Sequence, residues 1–526
     1  MMRNLRVLVM EPANQQLPID TARPNGALGP AYLVGALRAA GIETDYYDGT
    51  VGWPGDPLDE TFFNRVEQEH GTIRYGAAPD RLAEVFSGYD VIATSSIFTA
   101  QTRMHFEAAA IARRVALARG RPMLVVAGGV NARALKDHFL ANGFDVIAMG
   151  EGERVIVEIV RQFGGPAPDF SQVSGIAYRD GDRIVTTPVG RNGAAAQLDD
   201  LPHPALDAMP LGVYRDLGIP HAGVMPKGTM FGAMQTSRGC QDRCTFCHIS
   251  VEKENIDELG RVGFLREFSA ARVGKDVALA MSLGVTRLYF EDDNLFFSKR
   301  RLRELAPILK RPGLEYSNVN GANLRFLFAK RNGEFIVDTE FIGMLADFGL
   351  RELVLPFESR NFEVMEKYAT GKYNPDIMDS AALVRALKVA GIRLAGNFMI
   401  GFHDEPWESV LRTKDFAREL LGEGLDAVGF MIPVPYPGSL DFQTRMLDAA
   451  SRAAFNRDPL SFTDRMHWRA KPLFPTAVPG ERLEAAIRDF WLELNPSGYV
   501  AHKLERNVAV PPSVSGHHQS TVVSGE

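Results

Sequence analysis

The stretch Cys240-Gln241-Asp242-Arg243-Cys244-Thr245-Phe246-Cys247 contains every cysteine of this 526-residue chain. Cysteine thiolates at close, fixed spacings are the usual ligands of iron–sulfur clusters. When three thiolates hold a cubane cluster, one iron stays open to bind a substrate or cosubstrate. The stretch therefore predicts a 4Fe-4S cluster bound by Cys240, Cys244 and Cys247.

Two other uses of clustered cysteines fit the sequence less well. An odd number of cysteines at such short spacings does not form a disulfide framework. A structural zinc ion takes four ligands, and His248, which directly follows the third cysteine, is a conceivable fourth. Adjacent residues converge poorly on one tetrahedral ion, so the sequence favours the iron–sulfur cluster.

The composition is that of a globular protein with two or three domains. The chain is 45% hydrophobic and 23% charged, and its formal net charge is −7. This charge argues against a broad nucleic-acid-binding surface, although a local basic patch stays possible. No apolar stretch approaches the length of a transmembrane helix, and the apolar run 5–10 is too short for a signal peptide. Reduced thiols and an oxygen-sensitive cluster predict a cytoplasmic protein.

Residues 1–165 alternate short apolar runs with amphipathic stretches, which predicts a doubly wound, Rossmann-like parallel sheet. The predicted strands are 5–10, 43–47, 90–94, 123–127 and 145–149, and the predicted helices are 30–40, 102–118 and 133–142. Ligands of such sheets bind at the carboxyl ends of the strands. The residues there are Ser95, Ser96, Gly128, Gly129, Gly150 and Glu151. Tight strand-to-helix turns would explain the same residues.

For residues 166–225 the sequence predicts a connector. It contains a hairpin over 174–187, with Asp180-Gly181-Asp182 at its turn. Residues 226–445 then predict six strand–helix units. The predicted strands are 232–237, 287–291, 316–321, 353–357, 396–401 and 428–433. Parallel strands that are each followed by a helix close into a barrel or an open arc, with the chemistry at the carboxyl ends of the strands. The cysteines follow the first of these strands.

The cysteine spacing, with Phe246 before the third cysteine, resembles the signature of the radical S-adenosylmethionine (SAM) superfamily. The six units resemble the partial (β/α)6 barrel of that family. The resemblance implies that the open iron chelates SAM and that reductive cleavage of SAM gives a 5'-deoxyadenosyl radical. Residues at the strand ends that resemble SAM contacts of the family are Phe246, Asp292, Asp293, Asn323, Glu358, Ser359, Gly401 and Glu405. Each acidic residue among them would also serve as a helix N-cap or in a solvated turn.

The order of features in residues 1–165 resembles the cobalamin-binding domain that precedes many radical SAM barrels. The Asp-x-His-x-x-Gly motif of some cobalamin proteins is absent, and His70, His105 and His138 do not fit it. Many cobalamin-dependent radical SAM enzymes also lack this motif. The resemblance therefore implies cobalamin without a protein histidine on its lower face, contacted by the strand-end residues Ser95, Ser96, Gly128, Gly129, Gly150 and Glu151.

Residues 446–510 predict a helical region that caps the barrel, and residues 511–526, with His517-His518, predict a disordered tail. The lack of further cysteines argues against auxiliary clusters, and therefore against methylthiotransferases and SPASM-type enzymes. It also argues against a cysteine that carries a methyl group.

The resemblance predicts a cobalamin-dependent radical SAM methyltransferase that moves a methyl group from SAM, via methylcobalamin, to an unactivated carbon. Its expected partners are a small-molecule or lipid substrate and an electron donor such as flavodoxin or ferredoxin. No catalytic residue is assigned, although Tyr436 is a candidate near the substrate. Two alternatives stay open: a radical cyclisation, ring rearrangement or oxidation with the same cofactors, and a non-catalytic cobalamin or Fe–S sensor.

Overall fold

The computed structural model describes residues 4–500, except 19, 191, 192, 196, 220–224, 227 and 319. The predictions for residues 501–526, including the tail 511–526 and His517-His518, lie outside the described residues. Two mainly parallel sheets organise the described chain, one before residue 190 and one between residues 231 and 431.

The N-terminal unit contains ten strands and six helices. The strands are β1 Val7–Glu11, β2 Asn14–Gln16, β3 Thr44–Asp48, β4 Arg65–Glu67, β5 Ile73–Tyr75, β6 Val91–Ser95, β7 Leu124–Gly128, β8 Val146–Ala148, β9 Ile176–Asp180 and β10 Arg183–Thr186. The helices are α1 Leu28–Ala39, α2 Pro79–Phe86, α3 Thr102–Arg119, α4 Val130–Ala134, α5 Lys136–Ala141 and α6 Gly152–Gly164. The predicted helix 133–142 is thus divided between α4 and α5.

Seven of these strands form one sheet in the order β10-β9-β8-β7-β6-β1-β3, in which β8, β7, β6, β1 and β3 run parallel. Val7 and Val9 of β1 pack into the core shared with α1 and α6. Leu8 and Met10 pack into the core shared with α2 and α3. Helices therefore cover both faces, which explains why this strand is apolar throughout. The doubly wound arrangement predicted from the sequence is present.

The predicted hairpin does not belong to a connector. β9 pairs antiparallel with β8, and β10 pairs with β9, so the hairpin extends the N-terminal sheet. A two-stranded hairpin is at best marginally stable alone, and the edge of β8 offers unpaired backbone groups. Sequence periodicity identifies the hairpin but not the edge that it completes. The short antiparallel sheet β2-β5-β4 and helix α2 were likewise not predicted.

The central unit contains ten further strands and nine helices. The strands are β11 Phe231–Met234, β12 Ser237–Arg238, β13 Arg266–Glu267, β14 Arg287–Phe290, β15 Glu315–Asn318, β16 Phe328–Arg331, β17 Glu334–Val337, β18 Leu350–Glu358, β19 Arg393–Met399 and β20 Ala427–Met431. The helices are α7 Leu211–Leu217, α8 His248–Glu254, α9 Ile256–Leu259, α10 Ala270–Ser282, α11 Lys299–Leu309, α12 Thr339–Asp347, α13 Phe362–Tyr368, α14 Ser380–Val389 and α15 Trp407–Gly422.

Six of these strands form an all-parallel sheet in the sequential order β11-β14-β15-β18-β19-β20. Each overlaps a predicted strand, and β11 and β20 form its two edges. The strands are rich in buried apolar side chains, as strands covered on both faces are. Sequential parallel order places all six carboxyl ends along one edge, where the cysteine loop follows β11.

The C-terminal region is helical, with an irregular stretch over residues 464–479. Its helices are α16 Leu440–Arg445, α17 Ala449–Arg457, α18 Pro459–Thr463 and α19 Gly480–Leu494. α19 packs against β20 and α15. Asp464 is 1% exposed and accepts hydrogen bonds from Gln15 Nε2 at 3.0 Å and Arg103 Nη2 at 2.6 Å. The region therefore contacts both the central sheet and the N-terminal unit. Among the described residues, no helix combines the length and apolarity that a membrane span requires.

Candidate active site

The cysteine loop leaves β11 and is fixed by hydrogen bonds between backbone and side chains. The Cys240 N–H donates to Gly263 O at 3.3 Å. Lys253 Nζ donates to the carbonyl oxygens of Cys240, at 3.0 Å, and Asp242, at 2.5 Å. Cys244 is buried, and Cys240 and Cys247 are partly exposed. The loop thus presents its thiols at the carboxyl edge of the central sheet.

The burial of the thiols affects how they would bind a metal. Burial raises the pKa of the Cys244 and Cys247 thiols to about 12, so a bound metal must displace their protons. Within the described residues, no three His, Cys, Asp or Glu side chains converge as ligands of one ion would. Thiolates that bind different irons of a cluster do not need to converge on one point. His248 Nδ1 lies 3.1 Å from Glu252 Oε1, so its ring is oriented along α8.

The acidic run after β14 supports the start of the cysteine loop. Asp292 is 1% exposed and accepts hydrogen bonds from the Thr236 hydroxyl at 2.7 Å and the Ser237 hydroxyl at 2.6 Å. Asp293 Oδ2 accepts from the Gly239 N–H at 2.7 Å. Burial raises the pKa of Asp292 to about 6. Both residues that resemble SAM contacts therefore hold the protein's own loop in place.

Glu291 belongs to a second group of carboxyls, which we call the acid cluster: Glu11, Asp48 and Glu291. They lie at the carboxyl ends of β1, β3 and β14. Glu291 Oε2 accepts from the Leu28 N–H at 3.3 Å, and burial raises the Glu291 pKa to about 7. Asp48 accepts from the Tyr214 hydroxyl at 2.7 Å. The cluster shows that the carboxyl edges of the two sheets meet.

Asn323 follows β15 and reaches the cysteine loop. Its Nδ2 donates to Asp242 Oδ2 at 3.0 Å, and its Oδ1 accepts from the Arg325 N–H at 3.2 Å. Both sides of the amide are therefore engaged. Asn323 and the cysteine loop, distant in sequence, are brought together as the predicted site requires.

Glu358 ends β18 in an unusual backbone conformation, with a φ of 58°. Left-handed φ values in non-glycine residues are uncommon and cost free energy. Lys372 Nζ lies 2.5 Å from Glu358 Oε1, and its positive charge also acts on Cys244. Ser359 is fully buried, with its hydroxyl 3.3 Å from Thr413 Oγ1. Lys372 lies in a loop, and sequence reasoning missed it.

Gly401 and Glu405 form one tight turn after β19. Glu405 Oε2 accepts hydrogen bonds from the N–H groups of Gly401 at 2.8 Å and Phe402 at 3.3 Å. Gly401 has a φ of 82°, and a Cβ added there would lie 2.6 Å from Leu483 Cδ1. Only glycine fits this turn without displacing α19. Glu405 therefore shapes the strand end, and Gly401 is buried there against Leu483.

Three aromatic rings connect this turn to the cysteine loop. Tyr368 stacks on Phe402 with 4.6 Å between ring centroids, and Phe246 lies 6.3 Å from Phe402. The Thr245 N–H donates to Tyr368 O at 3.0 Å. We call Phe246, Tyr368 and Phe402 the aromatic cluster. It forms an apolar wall directly beside the thiols.

The N-terminal strand ends pack closely. The Ser96 N–H donates to Gly128 O at 2.8 Å, and a Cβ on Gly129 would lie 2.4 Å from Ser96 O. Ser95 is partly exposed, and the two residues that follow the buried Ser96, Ile97 and Phe98, are 43% and 54% exposed. Large apolar side chains are thus open to a ligand at this edge, while Ser96 and Gly129 serve the turn itself.

Gly150 and Glu151 lie at the interface with the central unit. A Cβ on Gly150 would lie 2.6 Å from Gly193 O. The Glu151 carboxylate lies 2.7 Å from Arg266 Nη2 and 3.4 Å from Arg238 Nη1. Two arginines therefore hold Glu151 at this interface. The contact of Gly150 and Glu151 with cobalamin stays a prediction.

Two more ion pairs at this interface were not predicted, because their partners are far apart in sequence. Glu153 lies 2.6 Å from Arg238 Nη2. Arg133 and Glu252 form an ion pair in which both side chains are less than 10% exposed. Burial alone would raise the Glu252 pKa, but Arg133 and His248 lower it to about 2. We call the pairs of Glu151, Glu153 and Glu252 with Arg266, Arg238 and Arg133 the charged interface.

The N-terminal histidines are engaged with protein groups. His105 is buried beside Thr94 Oγ1 at 3.1 Å, and burial lowers its pKa to about 3. His70 Nε2 lies 3.8 Å from Asp464. The His138 ring packs against Phe455 at 5.5 Å. His138 is partly exposed and contacts the C-terminal region through Phe455.

Comparison with known proteins agrees with this geometry. Residues 234–417 match the radical SAM superfamily. An uncharacterized methyltransferase, PH0819 of Pyrococcus horikoshii, is 26% identical over 403 residues, which span 74% of this chain and 78% of that protein. The cytidylyl-2-hydroxyethylphosphonate methyltransferase of Streptomyces wedmorensis is 25% identical over 472 residues, which span 83% of this chain and 81% of that protein.

A solved structure has the same fold over most of the chain. It is the radical SAM methyltransferase TsrM from Kitasatospora setae, with cobalamin and a 4Fe-4S cluster bound. It aligns with a TM-score of 0.56 and 17% identity, over 85% of this chain and 79% of that chain. The radical SAM domain implies a 4Fe-4S cluster and SAM as cofactors. Residues 234–417 therefore match a radical SAM domain, and the predicted resemblance of the chain to the cobalamin-dependent enzymes of that superfamily is confirmed.

Proposed function

We propose that this protein is a cobalamin-dependent radical SAM methyltransferase that transfers a methyl group from SAM to a carbon atom of a small-molecule substrate. The observation that carries the proposal is the meeting of two carboxyl edges. The acid cluster joins the strand ends of the N-terminal sheet to β14 of the sheet that presents Cys240, Cys244 and Cys247. An arrangement of this kind lets one substrate reach cofactors of both units.

The three cysteines would hold the cluster, and the residues after β14, β15, β18 and β19 would form the SAM site. A reduced cluster with bound SAM supplies a carbon-centred radical that abstracts hydrogen from unactivated carbon. Asp292 and Asp293 would act indirectly, because their carboxylates hold the cysteine loop. The aromatic cluster would exclude water from the reacting groups, and Glu405 would fix the turn at Gly401.

Cobalamin would bind at the carboxyl edge of the N-terminal sheet and supply a methyl carrier. The exposed side chains of Ile97 and Phe98, beside Ser95, fit the face of a large macrocycle, because covering them removes apolar surface from water. His70, His105 and His138 are held elsewhere, so the proposal includes no histidine ligand. TsrM, which has the same fold, is a methyltransferase that binds cobalamin.

The proposal places the protein in the cytoplasm with a flavodoxin or ferredoxin as electron donor. These reductants deliver the low-potential electron that the cluster needs. Methyltransferase is the named activity of both relatives described above, which supports methyl transfer over the other radical outcomes.

Anaerobic reconstitution with iron, sulfide and cobalamin tests the proposal. We expect cluster absorbance and an electron paramagnetic resonance signal after reduction, retained cobalamin, and cleavage of SAM to 5'-deoxyadenosine. Cys244→Ala should lose the cluster and abolish SAM cleavage, because a cluster ligand is removed. A cluster signal that survives in this variant would contradict the cluster site.

A second outcome separates the two cofactors. Wild-type protein that cleaves SAM but does not retain cobalamin would refute methyl transfer through cobalamin and leave the radical chemistry standing. A matched Ile97→Asp variant should weaken cobalamin retention without loss of the cluster, because it places a charge on the apolar face.

A further inference from the structure

A cavity lies between the carboxyl ends of β19 and β20 and the irregular segment 465–476. Tyr368 and Phe402 of the aromatic cluster line it, and Phe246 packs behind Phe402. Gly401 lines the same wall. The cavity is therefore adjacent to the cysteine loop and to the strand end that resembles a SAM contact.

Backbone hydrogen bonds fix the segment that closes the cavity. The Ile432 N–H donates to Trp468 O at 2.7 Å, and the Ala477 N–H donates to His403 O at 2.8 Å. Arg469 Nη1 lies 3.3 Å from Asp20 Oδ1 of the N-terminal unit. The segment is thus attached to both units, and the cavity is part of the folded structure.

Cationic side chains outnumber anionic ones in the cavity wall. Arg445, Arg465 and Lys471 line it, against one carboxylate, Asp441. Lys471 is paired with Glu481. In the described part of the chain, Arg445 and Arg465 form no ion pair at the 4.0 Å limit, although Arg465 Nε donates to Ser461 O at 2.9 Å and the charge of Arg445 acts on Asp441. Neither guanidinium is neutralised by a carboxylate within that limit, so both can contact a ligand. Such guanidinium groups match the oxygens of carboxylates and phosphoryl groups.

One buried polar atom in this wall has no partner. His467 is 7% exposed, and its Nδ1 lies 4.0 Å from Asp20 Oδ2. Its Nε2 has no hydrogen-bond partner among the described residues. Burial of a nitrogen without a hydrogen-bond partner costs free energy. A ligand oxygen in the cavity would supply the missing partner. The tautomer that carries the proton on Nε2 donates to such an oxygen.

We infer that this cavity binds the methyl-acceptor substrate and that the substrate carries an oxyanion, either a carboxylate or a phosphoryl group. Arg445 and Arg465 would bind the oxyanion, with His467 donating a hydrogen bond. The apolar part of the substrate would lie against Tyr368 and Phe402, on the side of the cysteine loop. This inference rests on the proposed function and adds the substrate class to it.

The test measures binding of three small probes to the reconstituted protein, before and after SAM is added. The probes are methylphosphonate, acetate and neutral acetamide, each observed through its methyl protons by saturation-transfer difference NMR. We expect at least one anion to bind, and acetamide not to bind. Arg445→Gln should weaken anion binding about tenfold or more, because a charge-assisted hydrogen bond is lost. Arg457→Gln, on the exposed side of α17, is the matched control and should bind as wild type.

The two anions distinguish a phosphoryl from a carboxylate substrate. The inference is overturned if acetamide binds as well as the anions, if Arg445→Gln binds as wild type, if SAM displaces the probes, or if neither anion binds. Absorbance of the cluster and the melting temperature establish that each variant is folded. Absence of SAM cleavage in the wild type would refute the proposed function, and anion binding would still be measurable.

Discussion

The charged interface and the acid cluster join the same two units, but the pKa of a buried carboxyl group is lowered in the first and raised in the second. In the charged interface each carboxylate lies against an arginine, and Arg133 helps to lower the Glu252 pKa to about 2. In the acid cluster the hydrogen-bond donors are hydroxyl, side-chain amide and backbone N–H groups, and burial raises the Glu291 pKa to about 7. The charged interface therefore favours the ionised form of Glu252, whereas the acid cluster favours the protonated form of Glu291.

This difference indicates separate roles in holding the units together. An arginine–carboxylate pair loses stability when one partner is removed, because the other charge stays buried. A protonated carboxyl cluster loses stability when it must ionise, because its members then repel one another. The charged interface should therefore respond mainly to mutation, and the acid cluster mainly to pH.

The largest effect should follow from breaking the buried pair of the charged interface. Arg133→Met leaves the Glu252 carboxylate buried without its main partner, and we expect a loss of about 3–5 kcal/mol in the free energy of unfolding. Urea denaturation of the purified protein measures it. Lys136→Met is the control, since its contact with Glu258 is exposed and should contribute about 1 kcal/mol or less. Equal losses in the two variants would contradict the comparison.

The acid cluster should give a pH-dependent effect of about 3 kcal/mol, from the change in Glu291 pKa from 4.5 to about 7. The unfolded chain releases this proton near pH 4.5 and the folded chain near pH 7, so stability should fall as pH rises between these values. Glu291→Gln should remove this fall and be more stable than wild type at pH 7.5. The measurement is the urea midpoint across this pH range. Glu340→Gln, at an exposed position in the first turn of α12, should keep the wild-type profile.

A smaller effect should come from one hydroxyl of the acid cluster. Tyr214→Phe removes the hydrogen bond to Asp48, and we expect a loss of about 1–3 kcal/mol. The melting temperature and urea midpoint report it. Tyr499→Phe removes a tyrosine hydroxyl in the C-terminal region, outside the acid cluster, and is the variant with which Tyr214→Phe is compared. No loss in Tyr214→Phe would show that the cluster does not depend on its hydroxyl donors.

The sheets were predictable because local sequence specifies them. Apolar runs such as 5–10 followed by turn residues identify parallel strands without any tertiary information. The cysteine loop was predictable for the same reason, since its three cysteines lie within eight residues. The position of the loop after β11 then followed from strand order.

Contacts between distant residues were not predictable. No motif in the sequence marks Lys372 or Arg133. Lys372 pairs with Glu358 and Arg133 pairs with Glu252 only because the fold brings these residues together. The sequence identified Asp292 as a carboxyl group at a strand end. It did not predict the hydrogen bonds that Asp292 accepts at the start of the cysteine loop. Sequence position identifies which residues reach the site edge, while their partners are set by packing.

The contact of Asp464 with Gln15 and Arg103 also affects the order of events during synthesis. The ribosome completes the N-terminal unit long before it reaches residue 464, and domains generally fold as units from the N-terminus. Until Asp464 emerges, the nascent chain lacks the carboxylate that Arg103 binds in the finished protein. A later part of the chain thus completes a contact that the N-terminal unit leaves open.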